Sequence, residues 1–211
     1  MARNNLGTVY DAQGLYEKAE SLHATNLEIR ERVLGEDDED TLISLGNLIK
    51  AYMAQDRYEL AETLCIRNVN AFIRSLGTDH IYTNTARNSL ALIYNNQKRY
   101  DEAEQIYKSI IQTNKRLLGE NHPATLRSLG NLAENYRVQE LYDEAEKINR
   151  HVLQGFEHHL GSEHPETITT INNMAVLYNQ MERYDLAQEF YTKGMDLRLQ
   201  VLGESHPDTL N

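Results

Sequence analysis

The sequence predicts an all-α solenoid of stacked helix–turn–helix units, and three observations carry that expectation. Leu-Gly recurs at Leu34-Gly35, Leu76-Gly77, Leu118-Gly119, Leu160-Gly161 and Leu202-Gly203, at an unbroken step of 42 residues. Ten of the 13 tyrosines keep the same step in two registers, Tyr10, Tyr52, Tyr94, Tyr136 and Tyr178, and Tyr16, Tyr58, Tyr100, Tyr142 and Tyr184. Within a period the apolar residues recur at helical rather than strand spacing. A fixed period of this size marks a repeat array whose units cannot bury their apolar faces alone and therefore stack on one another.

Taken in order, the chain divides into a partial unit at 1–33, full units at 34–75, 76–117, 118–159 and 160–201, and the start of another at 202–211. In the unit 118–159, Leu126, Leu129, Leu132, Ala133 and Tyr136 fall on one face of a first helix. Tyr142, Ala145, Ile148, Val152 and Phe156 do so on a second, with Val138 to Leu141 as the turn between them. All three prolines, Pro123, Pro165 and Pro207, share one register, and proline suits the first turn of a helix because its missing N–H has no intrahelical partner to lose. Each Leu-Gly sits where a second helix ends and glycine is free to leave the right-handed region. The inner turn carries Gly14 in the first unit but Asp56, Lys98, Glu140 and Glu182 afterwards; a left-handed conformation there costs ~1–2 kcal/mol without glycine. Neighbours such as Glu144 and Lys147 are expected to give ordinary helix-surface support. The sequence starts inside a first helix and stops just after another begins, so it reads as an excerpt of a longer array without a polar cap. Uncapped apolar ends predict end-to-end self-association.

Composition narrows the function classes. With 21 Lys and Arg against 32 Asp and Glu, the formal charge is −11, which argues against duplex nucleic acid or an anionic membrane as partner. The single cysteine, Cys65, excludes a disulfide framework and fits a reducing, cytoplasmic setting. No apolar run approaches the ~20 residues of a membrane span.

No cofactor, metal or catalytic site is expected. His80, His122, His164 and His206 recur once per unit, so stacking holds them about 10 Å apart, too far to converge on one ion; they are expected to shape the loops before the helices. His158-His159 are adjacent and point differently from a helix. The acidic run Glu36 to Asp40 lacks the glycine and spacing of a calcium loop; a solvated loop is the default reading and a docking site for a basic partner the lesser one. Cys65 has no Cys-x-x-Cys companion, and neither a phosphate-binding glycine loop nor Gly-x-Ser-x-Gly occurs.

The pattern Leu132-Ala133-x-x-Tyr136 followed by Tyr142-x-x-Ala145 resembles the tetratricopeptide repeat. The 42-residue period, with Leu-Gly-Glu-Asn-His-Pro at 118–123 and Tyr-Asp-Glu-Ala-Glu at 100–104 and 142–146, is similar to the long-repeat branch of kinesin light chains; related arrays occur as sensor regions of NOD-like signalling proteins. Compared with the usual period of about 34 residues, the extra length is most simply placed in the second helix and the loop after it. The resemblance implies a right-handed superhelix, with the first helices lining a concave groove that binds a peptide segment of a protein partner. It also implies that the position before the repeated Leu or Met, occupied by Asn5, Asn47, Ser89, Asn131 and Asn173, grips a peptide backbone. A carboxamide offers both a donor and an acceptor, matching any extended strand; the alternative is that these amides satisfy neighbouring helices. Further lining comes from Asn88, from Lys50 and Glu134, from Asn95, Arg137 and Asn179, and from Arg127 at a helix start. Lys50, Arg127 and Arg137 are compatible with the acidic, aromatic-containing peptides that the kinesin-light-chain branch binds. The expected function is thus a kinesin-light-chain-like, non-enzymatic interaction scaffold or adaptor. The alternatives are a sensor or regulatory segment of a larger signalling protein or enzyme, and a structural spacer.

Overall fold

The computed structural model describes the backbone of residues 2–203 and the side chains of residues 6–201. His206, Pro207 and Thr209, in the unit start expected at 202–211, lie outside the described residues, as does the side chain of Asn5. Ten helices follow one another among the described residues: α1 (Ala2–Ala12), α2 (Tyr16–Leu34), α3 (Glu39–Met53), α4 (Tyr58–Leu76), α5 (Ile81–Asn96), α6 (Tyr100–Leu118), α7 (Pro123–Val138), α8 (Tyr142–Leu160), α9 (Pro165–Gln180) and α10 (Tyr184–Leu202). The chain is all-α over these residues, and none of the helices is long and apolar enough to cross a membrane. It forms two compact units, Met1–Ile106 and Tyr107–Asn211.

Two kinds of punctuation make every pair. Second helices end at the Leu of Leu-Gly, and the glycine that follows takes φ of 95° at Gly35, 89° at Gly77 and 90° at Gly161. With ψ near 165°, this is a conformation almost closed to residues with a Cβ. The glycine carbonyl is then held by the repeated threonine of the next first helix: Thr83 Oγ donates to Gly77 O at 2.7 Å, Thr125 to Gly119 at 2.8 Å and Thr167 to Gly161 at 2.7 Å. The inner turns are Schellman closures. Arg57 N–H reaches back to Tyr52 O at 3.0 Å and Asp56 N–H to Met53 O at 3.1 Å, and Leu141 and Arg183 bond Tyr136 and Tyr178 in the same way. Asp56, Lys98, Glu140 and Glu182 accordingly hold φ between 56° and 62°.

The repeated histidines act as N-caps. Nδ1 of His80, His122 and His164 accepts the backbone N–H two residues on, at 3.3, 3.2 and 3.2 Å. Asp38 Oδ1 does the same for Asp40 at 2.9 Å in the unit that lacks the histidine. The acidic run beside it is partly pinned by the chain's own cations, with Arg74 on Asp37 at 2.6 Å and Arg67 on Glu36 at 3.3 Å.

Packing follows the sequence pattern. In the first unit Leu42, Leu45, Ile49, Ala61, Cys65, Phe72 and Ile93 form one core. In the second, Leu126, Leu132, Ala133, Ala145, Val152 and Phe156 are buried, while Tyr136, Tyr142 and Ile148 are half-buried. Gly155 lets α8 approach α7 closely, since a Cβ there would lie 2.6 Å from Leu126 Cδ1.

A polar clasp that sequence spacing did not reveal joins successive pairs. Glu20 on α2 accepts from Gln55 at 2.9 Å and Arg57 at 2.8 Å, and the Arg57 guanidinium lies 4.5 Å from the Tyr52 ring centre. Glu62, Gln97, Arg99 and Tyr94 repeat it, with Arg99 on Glu62 at 2.7 Å and 4.0 Å from the ring. In the second unit Glu146 takes Arg183 at 2.9 Å, Arg150 at 2.7 Å and the Tyr178 hydroxyl at 2.9 Å. Among the described residues the expected partners Glu144 and Lys147 form no such pair; Glu146, on the side of α8 that meets the next pair, carries the charge contact instead. Burial pushes the Glu146 carboxyl up, yet hydrogen bonds from Arg150 and Tyr178 and the charges of Arg183 and Arg150 outweigh it and hold the group below its ordinary range. Burial first, then the Glu146 carboxylate, pushes the Tyr178 hydroxyl up to about 12.

Two outcomes test these devices. His122→Ala should destabilise the chain by ~0.5–2 kcal/mol in chemical denaturation, and His122→Asp, copying Asp38, should not. Glu146→Gln should cost about 1–3 kcal/mol at neutral pH. Because the folded carboxyl is depressed, its contribution is complete above the ordinary carboxylate range and disappears as pH falls through the folded value. The wild-type advantage should therefore vanish in acid; equal stability at neutral pH would show that the clasp contributes nothing.

Candidate functional site

In each unit a cavity is walled by two first helices and floored by the second helix between them. In the first unit it measures ≈ 240 Å³ and lies among α3, α4 and α5. In the second it measures ≈ 570 Å³ and lies among α7, α8 and α9. Their linings correspond almost residue for residue at two repeat lengths: Leu42 with Leu126, Gly46 with Gly130, Asn47 with Asn131, Phe72 with Phe156 and Ser89 with Asn173. Both stand where the first helix carries glycine. A Cβ on Gly130 would meet nothing within 4 Å, and one on Gly46 would make only ordinary contact, 3.6 Å from Asn68 Nδ2. By contrast Asn172, at the same register, lies against Gly194, where an added Cβ would come within 2.5 Å of its Oδ1.

The structure gathers Asn47, Lys50 and Ser89 in the first cavity and Arg127, Asn131, Glu134, Arg137 and Asn173 in the second. It does not bring Asn88, Asn95 or Asn179 into either lining; Asn88 and Asn95 are half-buried on α5, and Asn179 is exposed near the end of α9. Ser89 donates to Thr85 O of its own helix at 3.3 Å.

The three cations expected to select acidic groups differ. Arg127 is tied to Glu166 at 2.7 Å. Arg137 grips Glu134 with two hydrogen bonds, from Nε at 2.7 Å and Nη2 at 2.5 Å, and reaches Gln180 at 2.7 Å. The Glu134 carboxylate, against the effect of burial, raises the Arg137 pKa above its ordinary value. Lys50 is exposed, and its side chain makes no ion pair or hydrogen bond among the described residues. The positive lining expected from three cations is thus reduced to Lys50 in the first unit, and the arginines of the second are charge-compensated.

The floors were missed by sequence reasoning, because they belong to second helices. Asn68 donates to Leu42 O at 3.2 Å while its Oδ1 is buried without a partner. Cys65 gives its thiol hydrogen to Ala86 O at 3.4 Å, and burial pushes it up to about 12, so it is a packing group rather than a nucleophile. Asn149 is 3% exposed. The register of Cys65 and Asn149 could have been compared in the sequence, but only the glycine notches show that it faces a cavity. Among the described residues no three His, Cys, Asp or Glu side chains gather as a metal site.

The sequence model of the tetratricopeptide repeat matches residues 1–48, 82–158 and 127–200. No curated protein matches the sequence. Among solved structures, the nearly identical TPR-like repeats of a Podosopora anserina protein described as a kinesin light chain superpose with a TM-score of 0.74 at 22% identity, covering 94% of both chains. BtubC (BKLC) from P. vanneervenii gives 0.75 at 22% identity over 96% of this chain and 80% of its own. The apo quorum sensor NprR from B. thuringiensis gives 0.71 at 19% over 94% and 53%. These likenesses concern the fold. With the repeat matched over most of its length, the chain belongs to the tetratricopeptide repeat family.

Proposed function

We propose that this chain is a protein-interaction scaffold that captures an extended segment of a partner in its first-helix grooves, in the manner of a kinesin-light-chain adaptor. The observation that carries the reading is the placement of Asn47, Asn131 and Asn173 on the walls of two cavities opened by glycine. Carboxamides at those points can pair with the N–H and C=O of any extended backbone, and a packed array holds them in place before the ligand arrives, which lowers the ordering cost of binding. Tetratricopeptide repeats as a family generally mediate protein–protein contacts. In the first unit, Lys50 at the rim of a cavity lined by Ile49, Phe72 and Tyr82 suits an acidic residue beside a large apolar one.

Each hydrogen bond adds ~0.5–1.5 kcal/mol net, so replacing Asn47, Asn131 and Asn173 together by Ala should weaken partner capture roughly ten- to two-thousand-fold while leaving helicity unchanged. Pull-down from lysate by wild type beside the triple variant, read by mass spectrometry, makes the comparison. Equal recovery would move the function to other surfaces, and no partner for either would favour a spacer or an intramolecular regulatory segment. Lys50→Gln should weaken an acidic partner about fivefold, matching ~1 kcal/mol for an exposed charge, and the loss should shrink in high salt.

A further inference from the structure

The two cavities share a frame and differ in chemistry. Lys50 of the first unit becomes Glu134 in the second, Ile43 becomes Arg127, Tyr82 becomes Glu166, and Cys65 on the floor becomes Asn149. The first lining keeps one uncompensated charge. The second holds two cations and two carboxylates, each arginine bonded to one acid, so their charges balance, while Glu166 Oε2 lies buried without a hydrogen-bond partner. An acidic ligand would have to displace Glu134 or Glu166 from its arginine, whereas an N–H donor finds the second oxygen of Glu166 open.

What the second cavity does offer is carboxamide. Asn149 is 3% exposed and lines the cavity, and no described protein group hydrogen-bonds its side chain. Asn131 and Asn173 stand on the walls around it, and Leu126, Val152, Phe156 and Val176 supply the apolar surface.

We infer that the groove of the second unit takes an uncharged extended segment carrying an Asn or Gln side chain, whose carboxamide pairs with that of Asn149. A carboxamide brings two N–H donors and a separate acceptor, enough for both groups of Asn149 and for the open oxygen of Glu166, whereas a carboxylate has no donor, an ammonium or guanidinium no acceptor, and a hydroxyl a single hydrogen. This rests on the groove-capture reading above and adds a specificity residue and a ligand class to it.

The test uses the full chain and a displayed library of random peptides of about a dozen residues. Gly46→Leu fills the first cavity and leaves the second open; Gly46→Leu with Gly130→Leu fills both. Replacing glycine inside a helix favours helix formation, and circular dichroism confirms that each variant is folded. Peptides enriched by Gly46→Leu should be poor in Asp, Glu, Lys and Arg and rich in Asn or Gln, and should be lost on the double variant. Their affinity should change less than about twofold between about 0.05 and 0.5 M salt. Asn149→Ala, which leaves the notch open, should keep peptide binding but lose the Asn and Gln preference.

Charged peptides on Gly46→Leu, or about a tenfold loss of affinity with salt, would overturn the inference. So would an unchanged Asn and Gln preference on Asn149→Ala. Enrichment by wild type that Gly46→Leu alone abolishes would leave groove capture standing and overturn only the second-unit assignment. No enrichment by wild type would overturn both.

Discussion

A pair of amphipathic helices buries only part of its apolar surface, and within each unit one pair is completed by the next. Residues such as Cys65 and Ala145 on second helices are fully excluded from solvent although their own partner helix covers only one side of them. The stacking requirement sets what the termini of every helix must do. Second helices must stop on time and turn back, which the Gly35, Gly77 and Gly161 conformations allow and the Thr–Gly carbonyl bonds secure. The inner turns must be tight enough to keep the two helices of a pair antiparallel, and four non-glycine residues accept a left-handed backbone to do so.

Much of the charge in the chain is committed to this framework. Glu20, Glu62 and Glu146 bind the arginine of the following inner turn, and the arginine lies over the tyrosine whose carbonyl closes that turn. A single side chain therefore joins the closure of one pair to the surface of the one before it. The commitment bears on function as well. Arg127 and Arg137 reach the groove only with their acids attached, so the formal charge of a groove residue is a poor guide to the field a ligand meets. Lys50, which has no such partner among the described residues, is the cation that remains to act at a distance.

Legibility in the sequence varied with how local the cause was. Helix ends and core faces were readable because each depends on a few neighbouring residues: Pro123 at a helix start, Gly119 after Leu118, Leu126 with Leu129 and Leu132. The cap role of the histidines is a finer version of the loop-shaping role that their place before proline suggested. The candidate site was half readable. Asn47, Asn131 and Asn173 stood out by register, but Asn88, Asn95 and Asn179 shared the same residue type without reaching a cavity, because lining depends on the helix face and on the neighbouring residue's size. The floor residues Asn68 and Asn149 could be reached only through knowing which first-helix positions are glycine and which second-helix side chains lie behind them.

The sequence by itself determined the period, the all-α class, the positions of the turns and the residues that punctuate them, because backbone conformation and periodic burial are local properties repeated five times over. Only the tertiary structure decided which polar residues are spent on holding pairs together and which face open space. That decision turns on partners some 35 to 40 residues away, such as Glu20 with Arg57 or Arg127 with Glu166, and on whether a glycine faces a void or a neighbouring side chain. Neither distance nor void is a property of a stretch of sequence; both arise when one pair of helices is laid against the next.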